Sequence, residues 1–505
     1  MAPTHWQRAR QLTQIASVIL FFMLAFLTYR GFESIIPLDL YFRVNPLVML
    51  SALIAMRAFV AAMAFAIIAL ALGFVIGRAW CGWLCPLGAI LDWITPKTRR
   101  VSETLRVSRG VKYVLLSAIF FSALMGNLTF LIFDPITILN RTFSSAGLPT
   151  LNALILGAEK FLIALPPFEW IEQNWRGTIL PAQQTVYDLG IFIAIFFGAI
   201  IALNWIVPRF WCRYLCALGA VYALQAKISW LRPRAVSDCA HCAACMKVCP
   251  MNAITVTKKG FTVDPAECVV CFDCVPACPT STIAITFGGS RATQVASFDL
   301  SRRHFIAGAA ASVASVALFQ SAPSAKRDDA FRVRPPGARE NNFLEKCIRC
   351  AECVKVCPTG GLQPSLLQAG LEGFWTPILV SRLGYCDFSC NACGQICPTG
   401  AIPPLALEAK RHNVIGIAYI DESRCLPWAS YTRCVVCEEM CPVPEKAIRL
   451  DDVDVIAPDG TRAHLQRPRV IHDLCIGCGI CEYQCPLAGP AAIRVYAPTK
   501  LPPRL

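Results

Sequence analysis

The sequence predicts an α-helical membrane domain followed by small α+β domains. Of the 505 residues, 55% are hydrophobic, and the mean hydropathy of +0.51 is typical of a membrane protein. The apolar residues are concentrated before Arg232, whereas most of the 28 cysteines follow it. The cysteines recur mainly as C-x2-C-x2-C-x3-C-P, and in a long chain this spacing indicates metal binding and not a disulfide framework.

Four apolar segments before Arg232 are predicted to span the membrane. They are residues 12–27, 59–76, 111–133 and 186–207. A further apolar stretch, residues 137–167, is interrupted by polar residues and is compatible with a helix on the membrane surface.

The charged residues predict how these spans are oriented. Arginines and lysines crowd the connection between the second and third spans, and others follow the fourth span. Both connections and the N-terminus are therefore expected in the cytoplasm, whereas the acidic loop after the third span suits the outside. Because membrane orientation explains much of the net charge of +14, nucleic-acid binding is not predicted.

An internal repeat closes the second and fourth spans. Residues 78–89 read R-A-W-C-G-W-L-C-P-L-G-A, and residues 209–220 read R-F-W-C-R-Y-L-C-A-L-G-A. The duplication predicts two halves related by a pseudo-two-fold axis, with their C-x3-C ends meeting at the cytoplasmic surface. Four interpretations stay open, namely a metal site, a redox disulfide pair, a docking place for neighbouring clusters, and plain packing. The cysteines concerned are Cys81, Cys85, Cys212 and Cys216.

Several other cofactors are excluded by missing motifs. No histidine lies in a predicted span, so a membrane haem held by two histidines is not possible. The sequence also has no C-x-x-C-H haem motif and no G-x-G-x-x-G or phosphate-loop motif. Any redox chemistry must therefore rest on the cysteines.

Residues 239–279 carry two cysteine sets with the spacing of a bacterial two-cluster ferredoxin. In that pattern the first three cysteines of a set hold one [4Fe-4S] cluster and the fourth crosses to the other cluster. A zinc site would favour separated C-x2-C pairs. Residues 254–256 and 283–286 are predicted to pair as small strands. The predicted ligands are Cys239, Cys242, Cys245 and Cys278 for one cluster, and Cys268, Cys271, Cys274 and Cys249 for the other.

A twin-arginine export segment is predicted near the middle of the chain. Residues 301–306 read S-R-R-H-F-I and precede a moderately apolar run, residues 305–320. Clusters are inserted in the cytoplasm, so a domain folded around them needs an export route for folded proteins. No clear cleavage site follows, and the segment is expected to remain as a fifth span. The alternative is a weak Ala-rich helix preceded by two chance arginines.

Four more cysteine sets follow, and all of them end in Cys-Pro. The first and fourth sets flank the second and third, which favours a nested pairing of the sets, with sequential pairing as the competing scheme. Nested pairing assigns one cluster to Cys347, Cys350, Cys353 and Cys485, and a second to Cys475, Cys478, Cys481 and Cys357. It assigns the inner clusters to Cys386, Cys390, Cys393 and Cys441, and to Cys425, Cys434, Cys437 and Cys397.

These assignments give five regions and six [4Fe-4S] clusters, with ferredoxin-like α+β folds around the clusters. The regions are a membrane domain (1–232), a cytoplasmic two-cluster domain (233–290), the internal signal and fifth span (291–322), a linker (323–342), and a periplasmic four-cluster domain (343–505). The protein is thus expected in a bacterial inner membrane, with cluster domains on both sides.

The motifs together resemble a fusion of two known families. The half before Ser301 is similar to membrane ferredoxins of the NapH and MauN type, and the half from Ser301 to exported polyferredoxins of the NapG and MauM type. The second membrane motif departs from that pattern, because Ala217 stands where the family has proline. The resemblance implies a quinol dehydrogenase-like carrier that takes electrons from the membrane quinone pool to a periplasmic reductase or cytochrome.

Two other functions fit the same motifs. One is an assembly factor for a respiratory oxidase or reductase, in which the membrane thiols reduce or hand over a metal, and the other is the electron-transfer subunit of a larger molybdenum enzyme. Four additional clusters favour conduction, because an assembly factor has little need for a long relay. A hydrocarbon core of about 30 Å is too wide for one electron hop, and the candidate bridges are a quinone bound among the spans, the C-x3-C thiols and a partner subunit. The aromatic residues that could line such a site, or act as interfacial anchors, are Trp80, Trp83, Trp211 and Tyr214.

Overall fold

The chain forms two units, each assembled from segments that are separate in sequence. The first comprises Met1–Leu27, Phe32–Asn140 and Ala194–Leu318, and the second comprises Thr28–Gly31, Arg141–Ile193 and Phe319–Leu505. The computed structural model describes residues 4–30, 36–95, 109–163, 186–235, 239–257, 260–287, 306, 310, 313–314, 332–366, 368–456, 460 and 462–498. The predicted export segment and fifth span lie outside these residues, apart from isolated positions.

Helices dominate the first unit. Pro46–Met56 packs against Val111–Leu124, Phe65–Ile76 and Ala217–Ala226, and small residues such as Ala52 are fully buried in this bundle. The other helices here are His5–Arg30, Leu40–Arg43, Ala79–Trp83, Pro86–Ile94, Pro135–Thr142, Gly190–Ile206, Ala244–Val248 and Cys274–Ala277, with 3-10 turns at Ala61–Met63 and Thr129–Phe133 and a π-helical turn at Trp211–Leu215.

The prediction of four membrane spans is not supported by the lengths of these helices. Among the described residues, one helix, His5–Tyr29, is long and apolar enough to cross a membrane. The other apolar helices are shorter, and the 17 residues of Gly190–Ile206 extend about 26 Å against a hydrocarbon core of about 30 Å. The predicted third span is broken because Gly126 takes a φ of 72° and ends the helix Val111–Leu124.

Polar groups lie inside the first unit and large apolar side chains lie on its surface. The Arg78 guanidinium and the Lys112 ammonium both contact the Glu267 carboxylate, and all three side chains are at most 1% exposed. Ile68 and Ile195, by contrast, are 59% and 65% exposed. An apolar exterior of this kind marks a surface that contacts lipid or another apolar partner.

Four short strands form two sheets in the first unit. β1 (Arg232–Ala235) pairs antiparallel with β4 (Ile283–Thr286), and β2 (Ile254–Thr257) pairs antiparallel with β3 (Gly260–Val263). The predicted strands exist, but their predicted pairing with each other is wrong. β2 and β3 are separated by two residues, and closing this local hairpin costs less entropy than a distant pairing.

The second unit repeats this arrangement with further strands. β5 (Leu362–Pro364) pairs with β6 (Pro377–Leu379), β8 (Ile448–Ile456) pairs with β9 (Arg462–Val470), and β10 (Ile493–Tyr496) pairs with β7 (Ile417–Ile420). All three pairs are antiparallel. The helices are Leu148–Ile163, Glu340–Lys346, Glu352–Val356, Ala392–Gln395, Leu407–Arg411, Leu426–Ala429, Val436–Glu439 and Ile480–Gln484, with a π-helical turn at Phe143–Gly147 and a 3-10 turn at His472–Leu474.

The strands show which cysteine sets belong together. β1 precedes the first two-set domain and β4 follows it, with the β2–β3 hairpin between the sets. β7 and β10 bracket the last two sets of the chain in the same way, with the β8–β9 hairpin between them. The β5–β6 hairpin lies between the two preceding sets, so each neighbouring pair of sets forms one structural module.

The buried ion pair between Asp92 and Arg209 is expected to stabilise the first unit. The Arg209 Nε donates to Asp92 Oδ1 at 2.5 Å, and the Arg209 side chain is 1% exposed. Because Asp92→Asn leaves a buried guanidinium without its counter-charge, it should destabilise the protein by about 3 kcal/mol. The measurement is the midpoint of thermal unfolding in detergent. Asp451→Asn, which removes an exposed partner of Arg469, should leave the midpoint unchanged, and equal midpoints for both variants would contradict the prediction.

Candidate iron-sulfur sites

Four cavities of the protein are each lined by four cysteines. In each cavity, three cysteines come from one set and the fourth is the last cysteine of a neighbouring set. The four groups are Cys268, Cys271, Cys274 and Cys249 (site II), Cys347, Cys350, Cys353 and Cys397 (site III), Cys386, Cys390, Cys393 and Cys357 (site IV), and Cys425, Cys434, Cys437 and Cys485 (site V).

Of the remaining eight cysteines of the six sets, all but Cys278 lie in two further groups. Cys441 interacts electrostatically with Cys475 and Cys478, and Cys481 with the same two, which defines site VI. Cys245 interacts with Cys239 and Cys242 in site I. The assignment of Cys278 to site I stays a prediction; its Sγ accepts a hydrogen bond from the Thr282 N–H at 3.3 Å.

The nested pairing of the last four sets is wrong. Cys485 lies with the Cys425 group and not with Cys347, and Cys397 lies with the Cys347 group. The sequential scheme agrees with the structure. The physical reason is the local hairpin between two consecutive sets, which folds the second set back onto the first and brings each last cysteine into its neighbour's cavity.

The cysteine loops have an unusual backbone conformation that sequence analysis missed. In the four sets that begin with C-x2-C, the residues before and after the second cysteine both have positive φ. This alternation turns successive backbone N–H groups inward to form an anion-binding nest. The thiol groups of Cys268 and Cys475, for example, accept hydrogen bonds from the backbone N–H of Val270 and Gly477. The residues concerned are His241, Ala243, Val270, Phe272, Arg349, Ala351, Gly477 and Gly479.

Most of these residues adopt an unfavourable backbone conformation in the loop. A non-glycine residue in the left-handed region costs on the order of 1–3 kcal/mol, and only the last set uses glycines at both positions. The glycine pair Gly477 and Gly479 was the one visible signal for this conformation in the sequence.

The chemistry of the donor groups fits iron-sulfur clusters. None of the 28 cysteines forms a disulfide, and each of the four cavities is lined by four cysteine side chains. A [4Fe-4S] cluster is held by four cysteine thiolates. Burial raises the pKa of Cys268, Cys437 and Cys478 to about 12 each, so thiolate formation there requires the positive charge of bound iron.

The cluster sites of the second unit follow one another in a fixed order. Cys353 of site III interacts with Cys393 of site IV, and the Cys386 N–H of site IV donates to the Cys478 carbonyl of site VI at 2.8 Å. Cys481 of site VI in turn interacts with Cys437 of site V. The spatial order is therefore III, IV, VI, V, which differs from the order along the chain.

Site III is the more enclosed end of this series. The Arg349 Nη1 donates to the Cys347 carbonyl at 2.8 Å, and Gln363 Nε2 donates to the Val186 carbonyl at 3.0 Å. The Arg141 guanidinium lies 3.6 Å from the centre of the Trp375 ring, which lines the site III cavity. Arg141 thus lies over the lining of site III, whereas three of the four site V cysteines, Cys434, Cys437 and Cys485, are half-buried.

The four cysteines of the C-x3-C repeats are also brought together. Each is buried, and Cys216 interacts electrostatically with Cys81, Cys85 and Cys212. The first cysteine of each repeat lies in a helical turn, and the second adopts an extended backbone just before the next helix. Ala217 begins its helix at the position that Pro86 occupies in the first repeat, so the two motifs have equivalent geometry despite this difference.

The aromatic residues near these motifs make packing contacts within the protein. Trp80 stacks on Tyr222 with ring centres 6.3 Å apart, Trp211 packs against Phe196, and Tyr214 packs against Phe210. These contacts fit residues that fix the ends of helices, and a quinone site beside them stays a prediction.

Protein-family profiles agree with these sites. A 4Fe-4S binding domain matches residues 58–102 and 189–235, and a 4Fe-4S dicluster domain matches residues 238–282. Two further 4Fe-4S binding domains match residues 343–363 and 472–495. Together with the cysteine-lined cavities, these matches identify a protein that binds several [4Fe-4S] clusters.

Curated relatives decide the family. The methylamine utilization ferredoxin-type protein MauM of Methylorubrum extorquens is 36% identical over 186 residues, which are 36% of this chain and 80% of that protein. The ferredoxin-type protein NapG of Escherichia coli is 36% identical over 167 residues, covering 33% of this chain and 71% of NapG. The chain belongs to the MauM and NapG family of ferredoxin-type proteins.

The chain is also similar to a second kind of relative, over a longer stretch of residues. The ferredoxin-type protein MauN of Methylorubrum extorquens is 28% identical over 272 residues, which are 50% of this chain and 78% of MauN. No solved structure matches the chain. As a MauM and NapG family member, the chain is an iron-sulfur electron-transfer protein.

The order of ligands can be tested with variants of site III. Cys350→Ala and Cys397→Ala should abolish the same EPR signal, because both residues line one cavity. Each variant should lose about four iron atoms, one cluster's worth. Cys441→Ala serves as the matched comparison and should abolish a different signal. If Cys397→Ala and Cys434→Ala shared a signal instead, the nested pairing would be restored.

Proposed function

We propose that this chain is a membrane-bound electron conduit that carries electrons from quinol, through six ferredoxin-type [4Fe-4S] clusters, to a periplasmic reductase or cytochrome. The observation that carries the proposal is the continuous series of sites III, IV, VI and V, in which neighbouring sites interact through their own ligand cysteines. Clusters bound at these four sites would supply one-electron transfer along the series.

The fold gives each end of the series a different role. Arg141 packs on Trp375 at site III and lies in sequence between two predicted spans, so we assign electron entry to site III. Site V has half-buried ligands at Cys434 and Cys485, so we assign electron exit to site V. The periplasmic partner would then dock near the Cys425–Cys434 loop.

The membrane topology that we propose follows from the composition of the two units. The predicted external loop, within Arg141–Ile193, belongs to the same unit as the predicted exported domain, within Phe319–Leu505. The N-terminal helix belongs to the other unit with the first ferredoxin domain, where Trp6 stacks on Phe272 and Arg10 pairs with Asp273 at 3.4 Å. The first unit is therefore assigned to the cytoplasmic side, with its apolar exterior and the His5–Tyr29 helix in the membrane.

The relatives support a fusion of two functions in one chain. MauM and NapG match about a third of the chain, and MauN matches half of it. We infer that one polypeptide here combines two kinds of ferredoxin-type protein, with the predicted twin-arginine segment as the junction. A single chain fixes the ratio of the two parts at one to one.

The assembly-factor function makes less use of what the second unit contains. Handing over a metal at the C-x3-C thiols would not require the series of sites III, IV, VI and V. A long series of cluster sites also has no role in metal delivery.

Quinol oxidation is tested on the anaerobically purified full chain in proteoliposomes. A short-chain quinol should bleach the cluster absorbance and produce the EPR signals of reduced clusters at both ends of the series. Complete reduction by dithionite together with no reduction by quinol would contradict a quinol-linked conduit. A chain that loads copper in place of accepting electrons would support the assembly function.

The direction of the relay is tested by removing a middle site. Cys390→Ala should disrupt site IV, so that site V is no longer reduced by quinol although dithionite still reduces it. Ser389→Ala, a change at the neighbouring exposed residue, is the matched control and should leave site V reducible. Reduction of site V at the wild-type rate in Cys390→Ala would show that electrons bypass site IV.

A further inference from the structure

The strongest unassigned feature is the group of four membrane thiols. Cys81, Cys85, Cys212 and Cys216 are 7%, 6%, 7% and 4% exposed and interact with one another electrostatically. They are the four cysteines that the six ferredoxin-type sites leave over from the 28 of the chain. A further [4Fe-4S] cluster needs one set of four thiolates.

Two arginines hold the repeats face to face through reciprocal hydrogen bonds. The Arg78 Nη2 donates to the Cys212 carbonyl at 3.2 Å, and the Arg209 Nη1 donates to the Cys81 carbonyl at 3.1 Å. Each arginine is the first residue of its own repeat and donates a hydrogen bond to the carbonyl of the first cysteine in the other repeat. These reciprocal hydrogen bonds agree with the pseudo-two-fold relation that the duplicated sequence predicts. Each repeat contributes two thiols to the group.

The second cysteines of the two repeats are also equivalent. Cys216 Sγ accepts a hydrogen bond from the Gly219 N–H at 3.2 Å, and the Cys85 thiol accepts one from the Gly88 backbone. A side chain at either glycine would be crowded, because a Cβ at Gly219 would lie 3.3 Å from Cys216 Sγ and one at Gly88 would lie 2.7 Å from the Cys81 carbonyl oxygen. The thiols of Cys268 in site II and Cys475 in site VI also accept hydrogen bonds from backbone N–H groups.

The family match divides the four thiols equally between the two repeats. The 4Fe-4S binding domain that matches residues 58–102 and 189–235 contains two of these cysteines in each matched segment. Neither segment alone supplies four ligands, whereas the facing repeats together do.

The thiol group lies directly against site II. The Trp83 Nε1 donates to the Val270 carbonyl at 2.9 Å, and Gly82 is so close to Val269 that a Cβ would lie 2.3 Å from its carbonyl oxygen. Val269 and Val270 form the loop between two site II ligands. Arg209 interacts electrostatically with both Cys212 and Cys271, which ties the two groups together.

We propose that Cys81, Cys85, Cys212 and Cys216 hold a seventh [4Fe-4S] cluster, shared between the two repeats and adjacent to site II. Electron transfer between the seventh cluster and the cluster of site II would move one electron. The donor cluster is oxidised as the acceptor cluster is reduced, and no bond is made and no proton moves. The seventh cluster goes beyond the proposed function, because it does not depend on quinol as the electron source.

The primary test counts iron and sulfide in the anaerobically purified full chain, with 57Fe Mössbauer spectroscopy to confirm the cluster type. The expected content is about 28 iron and 28 sulfide per chain, four of each for seven sites. A content of about 24, with the four thiols open to alkylation or joined as disulfides, would overturn the proposal. So would one zinc or copper ion per chain at these thiols.

Variants test whether the cluster is shared between the repeats. Cys81→Ala and Cys212→Ala should each lose about four iron atoms and the same EPR signal, and the double variant should lose no more. Cys271→Ala should lose a different cluster, and Ser117→Ala, in the same unit, should lose none. Separate losses that add in the double variant would overturn a shared site. If a variant loses all iron because it misfolds, the count and Mössbauer spectrum of the unaltered chain decide.

Discussion

The crossing of the last cysteine from one set into the cavity of its neighbour is the constraint on which the cluster domains depend. Cys249, Cys357, Cys397 and Cys485 each line the cavity of the other set. No set completes a site by itself, so two sets must fold as one module, and the free energy of cluster binding becomes free energy of folding for both. A hairpin lies between the two sets, and strands bracket them. These elements position each crossing cysteine in the cavity of the neighbouring set.

The same crossing explains how cluster sites come within reach of one another. The last cysteine of each of these sets lines its neighbour's cavity, so it lies only a few residues along the chain from the other cysteines of its own set. The contact between Cys386 and Cys478 extends this principle from one module to another through a backbone hydrogen bond. The nests around the C-x2-C loops direct N–H dipoles at the sulfurs. These dipoles are fixed by the fold and stabilise negative charge without rearrangement when an electron moves.

Much of the site could be predicted from sequence, but the pairing of the last four sets could not. In sequence, 28 residues separate Cys357 from Cys386 and 27 separate Cys397 from Cys425, so separation carried no information about which neighbours pair. The discriminating feature was the pair of strands between two sets, and β5 and β6 are only three residues long. Such short strands give almost no periodic pattern, because their pairing is stabilised mainly by tertiary contacts around them. The left-handed residues such as Arg349 and Phe272 were hidden for a similar reason, since their strain is imposed by the surrounding loop.

By itself, the sequence determined the cysteine spacing that predicts the ligands, the use of iron in place of disulfides, and the duplication of the C-x3-C motif, because these depend on residues close together in the chain. The tertiary structure alone decided which sets share a module, the spatial order III, IV, VI, V, and the exchange of hydrogen bonds between Arg78 and Arg209. It also decided where the apolar segments stop being helical, as at Gly126. These features result from contacts between residues far apart in sequence, whose energies have no local signature in the order of amino acids.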